Sequence, residues 1–126
     1  MNKLTKKELK KLESVFTKIQ RNIESGLNTL FLTNPIRVAK VWKRDQGGGG
    51  KSISITGDTI EKAAVNFSSI SGEQLPQSSI AEELNTKSNK FHAMGVSVIA
   101  HPMNPFCPSS HMNVRLFLEL SKNNLI

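Results

Sequence analysis

One stretch of the chain repeats apolar residues with a helical period. Leu9, Leu12, Phe16, Ile19, Ile23, Leu27 and Leu30 recur at steps of three and four, which puts them on one stripe of a helix over residues 5–33. Thr5 with Glu8 three residues on has the form of a capping box, and Leu4 and Leu9 can close a hydrophobic staple around it. Lys6, Lys7, Lys10 and Lys11 fall in the first turns, where the helix dipole disfavours cations. Gly26 is a soft spot, and Asn34-Pro35 ends the helix. A chain with one such stripe has one good helix to lay over the rest of its structure.

The remainder of the chain reads as strands and loops. Residues 36–43, with Ile36, Val38, Val41 and Trp42, alternate imperfectly. Residues 47–50 are four consecutive glycines, read as a flexible loop or as backbone that something approaches closely. Lys51-Ser52 comes after them, but the next stretch alternates rather than forming a helix, which argues against a phosphate-binding loop. Residues 52–56 and 59–71, joined at Gly57-Asp58, form a hairpin pattern. Residues 72–90 are polar and turn-rich and read as a surface loop. Residues 91–100 and 112–120 are two more strands, separated by a segment in which Pro102, Pro105 and Pro108 exclude helix and central strand. The expected class is α+β, an antiparallel sheet with helix cover. With one helix for at least four strands, one face stays half covered and the edges stay open. The expectation is one partial domain over residues 1–126, with the helix in 1–34, the sheet in 36–126 and the site segment in 95–117.

The charge is lopsided. Residues 1–51 hold twelve Lys/Arg and four Asp/Glu, while residues 52–126 hold five and six. Such a basic segment attracts a polyanion, or is simply a solvated lysine-rich helix face; no aromatics interleave with the charges as in a single-strand nucleic-acid groove. The single Cys107 excludes an internal disulfide framework and reads as a small apolar filler. No secretory signal or spanning stretch is apparent, which gives the cytoplasm as the expected compartment.

The densest cluster of reactive residue types lies in residues 95–117: Ser97, His101, Asn104, Ser109, Ser110, His111, Asn113 and Arg115. The prolines stiffen the linker between His101 and His111, so each imidazole can serve as general acid, general base or metal ligand. Two histidines do not complete a metal site, and His92, on the preceding strand, can face either side. Strand alternation puts His111, Asn113 and Arg115 on one face, with Val114 and Leu116 on the other. A guanidinium there suits a carboxylate. Each of these residues also has a plainer reading, as a hydrogen-bonded loop histidine or a solvated strand face.

Several ordered motifs resemble the oxygen-dependent coproporphyrinogen III oxidase family. They are Trp42-Lys43-Arg44 leading into the glycines and Ser52, Glu61-Lys62-Ala63, Val65-Asn66-Phe67-Ser68, Gly95-Val96-Ser97, His101-Pro102, Asn104-Pro105, Ser110-His111 and Asn113-Val114-Arg115. The resemblance runs from about residue 10 to residue 120. It implies a flat antiparallel sheet between helices, a homodimer, and oxidative decarboxylation of two propionates of coproporphyrinogen III to vinyl groups in haem biosynthesis. Dioxygen is then the electron acceptor, with no haem or flavin. The resemblance assigns Ser97, Asn113, Val114 and Arg115 to substrate binding, His101 and His111 to a divalent metal cation, and His111 also to proton donation. The basic segment then agrees with a substrate carrying four carboxylates. Ala64 stands where the family usually has Gly, Ile53 where it usually has Arg, and Phe106 where Tyr or His is typical. The loss of an Arg beside the glycine run is expected to weaken carboxylate binding. The family chain is longer, so a partner or the remaining half is expected to complete the site. Two further readings are a non-catalytic remnant or split-enzyme half that binds porphyrinogen or a partner chain, and a basic nucleic-acid-binding module. The resemblance implies neither a membrane nor a nucleic-acid partner.

Overall fold

A computed structural model of the chain describes residues 5–72 and 90–119. Helix α1 spans Lys6–Asn28 and is followed by strands β1 (Ile36–Lys43), β2 (Gly48–Thr56), β3 (Ile60–Gly72), β4 (Phe91–Pro102) and β5 (Ser110–Glu119). The strands form one antiparallel sheet in the order β1-β2-β3-β4-β5, so every neighbour in space is a neighbour in sequence. The α+β class read from the sequence holds. Among the described residues, cover comes from a single helix on one face.

The capping box closes as expected. The Glu8 N–H donates to Thr5 Oγ1 at 3.2 Å, and the Thr5 N–H donates to Glu8 Oε2 at 2.7 Å. The helix ends earlier than its stripe suggests. Thr29 turns its N–H and hydroxyl back to the Gly26 carbonyl, and the Leu30 N–H bonds to the Leu27 carbonyl. The chain then peels away, and Leu30 is half exposed. The Asp58 carboxylate fixes this exit by accepting from the Leu32 and Thr33 N–H groups and the Thr33 hydroxyl. These bonds, that of the Thr33 hydroxyl foremost, hold the Asp58 pKa below its ordinary value.

Of the two readings of residues 47–50, a flexible loop or closely approached backbone, the structure shows the second. Gly47 and Gly48 have φ of 113° and 93°, a region that side chains resist, and they turn the β1–β2 hairpin. The other two continue in β2, where the ladder to β1 and β3 satisfies their backbone. Strand β4 also runs two residues further than expected, because Pro102 sits at its last position and needs no ladder donor. Strand β5 starts two residues earlier, at Ser110, opposite Ala100. The surface loop expected over 72–90 lies outside the described residues except for its two ends.

Directly opposed residues share a face, so the register sorts the sheet. On one face lie Ile53 and Ile55, then Ala63, Val65 and Phe67, then Met94, Val96, Val98 and Ala100. These residues are the core, and Phe16 of α1 packs on them with Leu9, Leu12, Ile19, Ile23 and Leu27 around it. The helix crosses from β3 toward β1. Glu13 meets Ser69 on β3, Gln20 meets β2 and β3, and Glu24 pairs with Arg37 on β1. No described helix is long and apolar enough to cross a membrane.

Candidate functional site

The opposite face of the sheet carries no described helix. Three rows cross all five strands there. One row is Lys40, Ser52, Asn66, Ser97 and Asn113. Beside it runs Trp42, Gly50, Ser68, Gly95 and Arg115, and on the other side Val38, Ser54, Ala64, Ile99 and His111. In these rows the middle strands present mostly small side chains, with Ile99 on β4 the large exception. The charged groups stand on β1 and β5. Lys40 and Arg115 are exposed at opposite edges, four interstrand steps or about 19 Å apart.

Trp42 lies over Gly50. A Cβ added at Gly50 would come within 2.7 Å of the Trp42 ring, so only glycine lets the indole lie against the strand. The glycine run and the tryptophan therefore serve one surface, a relation that only the hairpin register makes visible.

The sequence-derived residues divide between the two faces. Ser97, His111, Asn113 and Arg115 come together on the open face, Ser97 half-buried and the other three exposed. Val114 does not join them, because alternation turns its side chain to the helix side, opposite Val96. His101 and His111 stand on neighbouring strands at the proline-rich end, and His101 Nδ1 is 3.0 Å from Ser109 Oγ. Among the described residues no group of three or more His, Cys, Asp or Glu is placed to hold a metal ion. Two imidazoles, one already bonded to a hydroxyl, do not by themselves fit a divalent cation, which needs further donors.

His92 faces the helix side. Its Nε2 lies 2.9 Å from Ser69 Oγ, whose hydroxyl donates to Glu13 Oε1 at 2.7 Å. Burial pushes the His92 pKa below its ordinary value, and nearby Glu13 works against that.

Three expectations are corrected by the structure. Cys107 is exposed rather than a core filler, because it belongs to a turn in which its N–H bonds to the Asn104 carbonyl at the proline-rich tip. Phe106 in the same turn is 95% exposed. Ile53 is 1% exposed beneath α1, so an arginine missing there is missing from the core side and not from the open face. The basic helix likewise packs on the core face, so of the lysine-rich first segment the β1 residue Lys40 is what reaches the open surface. Sequence reasoning did not place Lys40, Trp42, Ser52 or Asn66 there. Their signal is strand alternation, which becomes useful once the register is known.

Fold and surface together define an α+β protein that presents an open sheet face, a platform of mostly small side chains with cations at two edges. The chain belongs to the coproporphyrinogen III oxidase family, whose family model matches residues 11–125. It is similar to an oxygen-dependent coproporphyrinogen-III oxidase of Prochlorococcus marinus subsp. pastoris, with 39% identity over 113 residues. That match covers 89% of this chain and 33% of the relative, so the chain spans about a third of the length of the curated relative it matches.

Proposed function

We propose that this chain is a partial domain supplying the substrate-holding sheet of an oxygen-dependent oxidative decarboxylase acting on coproporphyrinogen III. The observation that carries the reading is the gathering of Ser97, His111, Asn113 and Arg115 on one open face. Coproporphyrinogen III is a ring of four pyrroles joined by saturated carbons, so it is puckered, and it carries its carboxylates at the rim. Arg115 can take one carboxylate in bidentate fashion, and Asn113 and Ser97 can hydrogen-bond others. In each cycle a propionate side chain loses carbon dioxide, one proton and two electrons to become a vinyl group, and dioxygen takes the electrons. His111, on the same face, is the residue to donate or accept the proton. The sheet's part is positioning, which converts an encounter into a held geometry. In this reading the protein acts in the cytoplasm as a homodimer, and any divalent cation at His101 and His111 draws its remaining ligands from outside the described residues.

A second reading is favoured by the one-third coverage of the relative. In it the chain binds the porphyrinogen, and catalysis needs a further polypeptide segment.

One experiment separates the two. Trp42 is the single tryptophan and lies on the platform, so its emission reports ligand there. The folded chain is titrated anaerobically with coproporphyrinogen III, then exposed to air, and protoporphyrin is read after chemical oxidation. The expected result is quenching of Trp42, weakened on the order of 10- to 100-fold by Arg115→Ala, the worth of a charge-assisted bond. Product that disappears with His111→Ala supports the catalytic reading. Quenching without product supports the binding half, and neither signal from a folded sample overturns both.

A further inference from the structure

The solvent side of α1 carries a line of cations with no counterpart among the described residues. Lys7, Lys10, Lys11, Lys18 and Arg21 recur at helical spacing and are all exposed. Their stripe lies opposite the one that packs on the sheet, and at 1.5 Å per residue it runs about 21 Å along the helix. The three carboxylates of α1 are engaged elsewhere. Glu8 closes the cap, Glu13 accepts from Ser69, and Glu24 pairs with Arg37. Among the described residues the Arg37–Glu24 contact is the ion pair of the molecule, so none neutralises the stripe. Because α1 lies on the core face, these charges point away from the platform and cannot serve a ligand held there.

We infer that this stripe docks the protein peripherally on an anionic lipid surface, with the open face of the sheet turned away from it. Four of the five cations are lysines, point charges on flexible stems that suit a surface of diffuse negative charge without fixed geometry. Nucleic acid is the other polyanion to consider. It is disfavoured because the stripe presents no aromatic for stacking and a single arginine for bidentate phosphate contact. With no aromatic on the stripe to insert, attachment rests on charge alone and is reversible and salt-sensitive.

The test is co-sedimentation of the full chain with vesicles of phosphatidylcholine, with and without about 30% phosphatidylserine. Binding to the anionic vesicles alone is expected at about 50 mM NaCl, with loss at about 500 mM, where the Debye length has shrunk to a few ångströms. Replacing Lys7, Lys10, Lys11 and Lys18 together with Gln lowers partitioning on the order of several hundred-fold, from about five-fold per charge. The same four replaced with Arg retain it. Helicity by circular dichroism is read on each variant, and if the Gln variant unfolds, the salt series and the Arg variant decide. The inference is overturned if the folded wild-type chain ignores anionic vesicles at low salt, if binding survives high salt, or if the folded Gln variant binds as wild type. Tighter binding to duplex DNA than to vesicles at equal salt reassigns the stripe to nucleic acid.

Discussion

Gln20 is 2% exposed, enclosed between helix and sheet. Its Nε2 donates to the Lys51 carbonyl at 2.8 Å and the Val65 carbonyl at 2.9 Å, on two adjacent strands. One side chain thus registers α1 along the sheet, which apolar contacts alone do loosely because they lack direction. Gln20→Ala removes both bonds and leaves a void, and is expected to destabilise the chain by about 1–3 kcal/mol. The check is a urea titration, where the midpoint falls with an unchanged slope. An unchanged midpoint would show the bonds to be idle. The sequence does not disclose this role: Gln20 sits between Ile19 and Arg21 at the margin of the apolar stripe, where a polar residue normally meets water. The open-face residues were more legible, since His111, Asn113 and Arg115 share a face by alternation alone.

The β1–β2 hairpin shows how an element sets a surface. Of its four glycines, Gly47 and Gly48 bend the chain at positive φ, and Gly48, Gly49 and Gly50 open strand β2. Gly50 lies directly beneath Trp42, and a Cβ there meets both the indole and the Phe67 carbonyl. Gly50→Ala is expected to lift the ring and cost about 1–3 kcal/mol from overpacking. Trp42 emission and the urea midpoint should shift together, and a spectrum identical to wild type would contradict the placement. The run of glycines reads equally as loop or close approach, so its meaning waits on the register. The helix was legible in a different way. Its cap is local chemistry between Thr5 and Glu8, whereas its end depends on Asp58, twenty-five residues beyond Thr33, accepting from the exit segment.

Helix and sheet are also joined by the chain of bonds from Glu13 through Ser69 to His92. Ser69 has one proton and gives it to Glu13, so the His92 Nε2 must carry a proton and donate to Ser69. Neutral His92 satisfies this, and burial holds its pKa below the ordinary value. The unfolded chain therefore binds more protons than the folded one between the folded pKa and about 6.5, the value in the unfolded chain. Stability rises with pH through that window and is lost as pH falls from about 6.5 toward the folded pKa. Urea midpoints compared at several pH values should fall more steeply on acidification for wild type than for His92→Gln. Parallel curves would place the acid sensitivity elsewhere.

Local patterns thus determined the helix and its cap, the strands, the α+β class, the family resemblance and the shared face of His111, Asn113 and Arg115. These depend on residues within a few positions of each other, where period, capping and alternation act directly. Which face α1 covers, the burial of Ile53 beneath it, the exposure of Cys107, the platform of Lys40, Trp42, Ser52 and Asn66, and the separation of the basic stripe from that platform were decided by tertiary structure. Each depends on the register between strands distant in sequence and on the side to which the helix docks. A one-residue slip in pairing reverses every side chain of a strand, so this information lies in the packing and not in any window of sequence.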